Sequence, residues 1–128
     1  MKKFKTHNGQ ALVVLLVFMV VAITMTTMAV ALVIINARAA SQVEQGDMAL
    51  KLAESGAENA LLRLVRDPTY TGMETFTLGT GTVTSTVSAG TPIIIRSRGK
   101  DGTFTRSASV SASFINTVLT IQSWQEVP

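Results

Sequence analysis

The chain has no cysteine, one histidine, one tryptophan, one tyrosine and three prolines in 128 residues. Without cysteine there is no disulfide framework, no thiolate nucleophile and no Cys-ligated zinc. The one histidine, His7, lies in a basic leader, so almost every His-dependent catalytic or metal arrangement is excluded as well. Charge is missing where it would matter most. Between Lys5 and Arg38 no side chain is formally charged. The net charge of +3 is therefore misleading as a sign of nucleic-acid affinity. Lys2, Lys3 and Lys5 supply the whole excess, and from Arg38 onward eight basic residues balance eight acidic ones. A general electrostatic attraction to nucleic acid is not expected.

What fills the uncharged stretch is apolar. Ala11 to Ile35 is almost purely Leu, Val, Ile, Met, Phe and Ala, interrupted by Thr24, Thr26 and Thr27. At ~1.5 Å rise per residue such a block spans roughly 38 Å, enough to cross a ~30 Å hydrocarbon core with tilt. The spacing predicts one transmembrane helix. The three threonines are tolerable there because a helical hydroxyl can bond back to a carbonyl one turn earlier. Lys2, Lys3 and Lys5 precede the span, while Arg38 is followed by Glu44 and Asp47. The positive-inside rule then puts the leader in the cytoplasm and the C-terminal part outside. About 75 residues remain for a water-soluble fold, which gives a thin core and excludes a large globular enzyme.

Two processing signals compete. Ala37-Arg38-Ala39 satisfies a small-x-small cleavage rule, but the apolar stretch is too long for an ordinary secretory signal. The alternative is a cut after Gly9, which would remove residues 1–9 and leave the apolar helix, residues 10–37, on the mature chain. The length of the apolar stretch favours the second.

Beyond the span the helix is expected to continue over residues 38–67. Val43, Gly46, Leu50, Ala53, Ala57, Leu61 and Leu64 recur at three- and four-residue steps, one stripe of an amphipathic helix. Glu44, Asp47, Lys51, Glu54 and Glu58 take another face, with Glu54 expected to point outward. Asp67-Pro68 ends the helix, because the residue before proline is pushed out of the α region. The whole helix would run roughly 55 residues, about 80 Å. Gly46 and Gly56 each cost such a helix ~1 kcal/mol against alanine. For Gly56, flanked by Ala53, Ala57 and Ala60, close packing on a sheet is the expected reason.

Residues 68–128 change to Thr, Ser, Gly and β-branched types. Glu74 to Leu78, Thr82 to Ser88, Ile93 to Arg98, Thr103 to Phe114 and Thr117 to Trp124 read as strands joined by short turns, hence an antiparallel sheet. Centring one turn on Lys100 and Asp101 sets Ile93 opposite Ala108 and Ser97 opposite Phe104. Ile95, Phe104, Ala108, Val110, Ala112 and Phe114 would be its buried face. Arg106 then falls on that apolar face, which a bulge or an edge position would resolve. The expected fold class is α+β: a long N-terminal helix packed on a small antiparallel sheet.

Arg96, Arg98 and Lys100, with Arg106 across the hairpin, form the only basic cluster of the body. They are a candidate anion patch; the competing explanation is charge that protects an edge strand from unwanted pairing. Trp124 is either an adhesive aromatic or a cap on the core. Asp67, Glu74, Asp101 and Glu126 form no recognisable carboxylate pair. No enzyme, cofactor or metal is therefore expected. A single-pass anchored binding module that never polymerises is the rival to a structural subunit.

The basic leader ending in Gly9, the retained apolar helix, the amphipathic continuation and the small C-terminal sheet together resemble the type IV pilin superfamily. Ala49-Leu-Lys-Leu-Ala-Glu-Ser-Gly-Ala-Glu-Asn-Ala-Leu-Leu-Arg-Leu is similar to a stretch of PilX-type minor pilins and the K-type minor pseudopilin. Ile94-Ile-Arg-Ser-Arg-Gly-Lys-Asp-Gly-Thr-Phe-Thr-Arg resembles their late hairpin, and Ser123-Trp124 their closing strand. The resemblance implies cleavage after Gly9 and N-methylation of Gln10 by a prepilin peptidase. It also implies storage in membrane lipid, assembly with other pilin-like subunits through the helix, and an assembly platform with its own ATPase. The chain itself carries no phosphate-binding Gly-x-x-x-x-Gly-Lys-Ser/Thr loop. Most pilins have Glu at the fifth mature position, which is Val14 here; some tip-located minor subunits lack it. The resemblance thus implies a minor pilin or pseudopilin, in a pilus or secretion filament.

Overall fold

The computed structural model describes residues 8–128; most of the expected leader, residues 1–7, lies outside the described residues. The chain is α+β, the described residues forming one helix, α1 (Asn8–Arg66), and five strands, β1 (Gly72–Leu78), β2 (Gly81–Ser88), β3 (Ile93–Asp101), β4 (Phe104–Ile115) and β5 (Val118–Val127). It divides into two compact units at Ala40/Ser41.

The first unit is the apolar part of α1. Every residue from Gly9 to Ala40 is exposed, Phe18 by 72% and Met28 by 69%. The hydroxyls of Thr24, Thr26 and Thr27 each donate to a carbonyl three or four residues earlier at 2.8 Å, so their polarity is absorbed locally. This is the one helix among the described residues that is long and apolar enough to cross a membrane.

The second unit packs the rest of α1 on the sheet. The strands pair antiparallel in chain order, β1-β2-β3-β4-β5, so each is joined to its neighbour by a short connection and β3 is central. The core joins Ala57, Ala60, Leu61 and Leu64 of α1 to Val87, Ile95, Val110 and Ala112 of the sheet. Side chains alternate across a strand, so one face packs on α1 and the other is left to solvent. In β2 and β3 the alternation is strict.

The helix ends where Asp67-Pro68 predicts, with Arg63 and Arg66 in its last turn, where cations complement the helix dipole. Arg63 also donates to Glu74 of β1 at 2.6 Å and lies 5.6 Å over the Tyr70 ring.

The helix stripe needs correction. Val43 is 73% exposed and Leu50 only half-buried, and Ala49 and Leu52 take their place on the buried line, while Gly46, Ala53, Gly56, Ala57, Ala60, Leu61 and Leu64 are buried as expected. The line is rotated toward the small residues because they let the sheet come close. Glu54 is half-buried rather than fully outward.

The β3–β4 register differs as well. Ile93 pairs with Ala112 and Ser97 with Ala108, and the turn is Gly102-Thr103 between Asp101 and Phe104. The expected register was four residues off. Because four is even, the predicted faces survive. Ile95, Ala108, Val110 and Ala112 are buried, and Phe104 and Phe114 are half-buried at the ends of β4. Gly99, read as part of a turn, is instead a strand residue under the helix. A Cβ there would lie 2.5 Å from the Ala53 amide nitrogen and 2.7 Å from the Leu52 Cβ, so only glycine permits this approach.

Candidate functional site

Two regions carry the functional candidates. The first is the start of α1. The Gly9–Gln10 bond lies in its first turn, both residues are exposed, and nothing approaches within 4 Å of where a Gly9 Cβ would be. Val14, at the expected fifth mature position, is 62% exposed among apolar neighbours.

The second region is the outer face of the sheet. Arg96, Arg98 and Lys100 alternate along β3 with buried Ile95, Ser97 and Gly99, so all three point away from the helix and are exposed. Arg106 does not join them. It pairs with Gly99, shares a face with buried Ala108, and its guanidinium reaches over Gly46 and donates to Glu126 at 2.8 Å. The expected four-residue patch is therefore three residues, with Arg106 on the opposite side of the sheet. Its place on the apolar face is explained by the end of β5, whose last ladder pair is Ser107 with Val127. There the Arg106 side chain is about half-exposed and reaches the edge of the face, where its guanidinium meets both Glu126 and water. The bulge lies elsewhere, where Gln122 is the extra residue of β5 opposite Ser111 and Ala112.

The edge-protection explanation of the cluster also fails, because β3 is the middle strand and is paired on both sides. Its ladder neighbours are all hydroxyl residues. Arg96 lies between Thr86 and Ser109, Arg98 between Thr84 and Ser107, and Lys100 between Thr82 and Thr105. A shallow concavity of about 810 Å³ follows this face, lined by Arg96 and Arg98 and by Thr84, Thr86, Ser107 and Ser109, with Met73, Ile94 and Val127 at its margins. Among the described residues no acidic side chain lines it. The flanking hydroxyls add to the expected site, and their signal is the hydroxyl residue at every second position from Thr82 to Ser88 and from Thr105 to Ser113.

The carboxylates outside the helix are each engaged separately. Glu74 pairs with Arg63 and Glu126 with Arg106, Asp101 accepts from the Thr80 hydroxyl at 3.2 Å, and Asp67 accepts from Thr69. Trp124 is opposite Val110, on the helix-facing side of β5, and 39% exposed.

No protein-family model, curated protein or solved structure matches the chain.

Proposed function

We propose that this chain is a pilin-like structural subunit, stored in the cytoplasmic membrane by its apolar helix and assembled through that helix into a type IV pilus or related secretion filament. The observation that carries this reading is the apolar stretch of α1, exposed from Gly9 to Ala40 on a chain whose remainder forms a small α+β unit. Such a surface is stable in lipid. It is also stable in a bundle of like helices, where each buried Å² contributes ~25 cal/mol. Membrane storage and filament assembly are thus two solutions to one burial problem, and transfer between them needs work from an external machine.

In this reading residues 1–9 are a cytoplasmic leader, Gln10 is the methylated mature N-terminus, and the unit from Ser41 onward is extracytoplasmic. The partners are a prepilin peptidase, other pilin-like subunits, and an assembly platform driven by its ATPase. Val14 in place of a carboxylate favours a minor subunit. An anchored binding module that never polymerises is the alternative, favoured by the cations of β3, which pair with no carboxylate among the described residues.

Intact mass and N-terminal sequencing of the membrane form decide between them. Loss of residues 1–9, abolished by Gly9→Val, is the expected result. A chain that keeps the leader supports the anchored module, and a mature chain starting at Ala40 means ordinary secretion.

A further inference from the structure

The outer face of the sheet has a composition that neither membrane storage nor helix assembly requires. A solvent-facing sheet ordinarily mixes charges of both signs, with opposite charges placed across the ladder. Here Arg96, Arg98 and Lys100 form one row on the central strand, all six of their ladder neighbours are Ser or Thr, and among the described residues none of the three is in an ion pair. Alternate residues on a strand are ~6.7 Å apart, so the row is a regular ladder of cations set in hydroxyls.

We propose that this face binds an acidic polysaccharide, with Arg96 and Arg98 holding its anionic groups and Thr84, Thr86, Ser107 and Ser109 pairing with its hydroxyls. A guanidinium presents a rigid fork of donors that matches carboxylate, sulfate or phosphate oxygens two at a time. A hydroxyl donates once and accepts twice, which is what a sugar hydroxyl also needs. The concavity of about 810 Å³ gives a few sugar rings room to lie along β3.

Other polyanions fit less well. A single nucleic-acid strand is held by stacking its bases on aromatic rings, and among the described residues no aromatic side chain belongs to this face. Phe76, Phe104, Phe114 and Trp124 all pair on the helix-facing side. A duplex needs more phosphate contacts than three cations supply to survive physiological salt. A protein partner would seek anchors buried in well-packed central pockets, whereas this concavity is shallow, its apolar side chains Met73, Ile94 and Val127 lie at its margins, and its centre is Arg, Ser and Thr. The proposal holds whether or not the chain enters a filament.

The test uses the full chain in lipid nanodiscs, with Lys2, Lys3 and Lys5 replaced by Gln in every sample so that the leader cannot hold the probe. Binding of polygalacturonate and heparin is measured against neutral dextran and a DNA duplex. Both acidic glycans should bind and dextran should not. Arg96→Gln with Arg98→Gln should raise both Kd values by about tenfold or more, while Arg38→Gln with Arg66→Gln, removing equal charge elsewhere, should change them less than about twofold. Thr86→Val with Ser109→Ala should weaken glycan binding about threefold with melting unchanged, a readout that charge alone would not move. Unaltered glycan binding in the Arg96/Arg98 variant overturns the proposal. So does a duplex that binds more tightly than either glycan, together with a hydroxyl variant that behaves as wild type; the face would then be reading a phosphate backbone.

Discussion

Gly56 of α1 lies against Ser97 of β3 so closely that the space of a Gly56 Cβ is taken by the Ser97 hydroxyl and a methyl of Val83. The Ser97 hydroxyl is itself buried and has no hydrogen-bond partner among the described residues. Helix and central strand thus meet at a point where neither residue can grow, and a polar atom is left unpaired to keep the approach.

The contact makes a stability prediction. Gly56→Ala should destabilise the unit beginning at Ser41 by about 1 to 3 kcal/mol through overpacking, despite the ~1 kcal/mol that alanine contributes to helix propensity. Gly56→Leu should cost more. Glu58→Ala, on the exposed side, should stay within ~0.5 kcal/mol. Ser97→Ala removes an orphaned hydroxyl and should be neutral or stabilising. Denaturant unfolding measures all four. A Gly56→Ala protein as stable as wild type would mean the helix does not press on β3 there.

The β4–β5 turn is built from Asn116 and Thr117, with φ of 52° and 66°. Both are left-handed, as a two-residue type I′ hairpin demands, and asparagine accepts this where a β-branched residue resists it. Thr117→Gly should therefore stabilise the protein by about 1 kcal/mol. A thermal melt that falls in this variant would show that the threonine side chain contributes more than its backbone costs.

Asp67 closes the turn after α1 by accepting from the Thr69 hydroxyl at 2.6 Å and its backbone N–H at 2.9 Å. These bonds, the hydroxyl's first, hold its carboxyl below the usual aspartate value. A depressed folded pKa contributes stability above the unfolded value of ~3.9, and that contribution is lost as pH falls through the folded value. Wild type should then lose stability below about pH 4 more steeply than Asp67→Asn, which cannot titrate. Parallel melting curves from neutral to acid pH would remove Asp67 from the account.

Copy number tests the role of Val14. If the chain assembles as proposed, a subunit without a carboxylate at that place should be scarce in sheared filaments, and quantitative mass spectrometry of such filaments reads this directly. Dominance of this chain in the filament would overturn the minor role and leave assembly through the helix standing.

Several features were legible without coordinates because local chemistry fixes them. The uncharged run from Ala11 to Ile35 announces an apolar helix, Asp67-Pro68 its end, and period-two alternation from Thr82 to Ser88 a strand with one buried face. The β3–β4 register was misread because Gly99, Lys100, Asp101 and Gly102 all carry turn chemistry, and only Gly102 takes a positive φ, 58°. Gly99 is needed for a different reason, the approach of Ala49 and Ala53 from 46 or more residues earlier in the chain.

The sequence by itself determined what each segment is: an apolar helix, an amphipathic continuation and five strands, through periodicity, breakers and the placement of charge. Tertiary structure decided which neighbours those segments have. That Arg96, Arg98 and Lys100 sit on a central strand among hydroxyls, and that Arg106 lies on the other side with Glu126, follows from strand order and register. Those are set by the fit of a small-residue helix stripe against the sheet, a contact between residues far apart in the chain that no local pattern encodes.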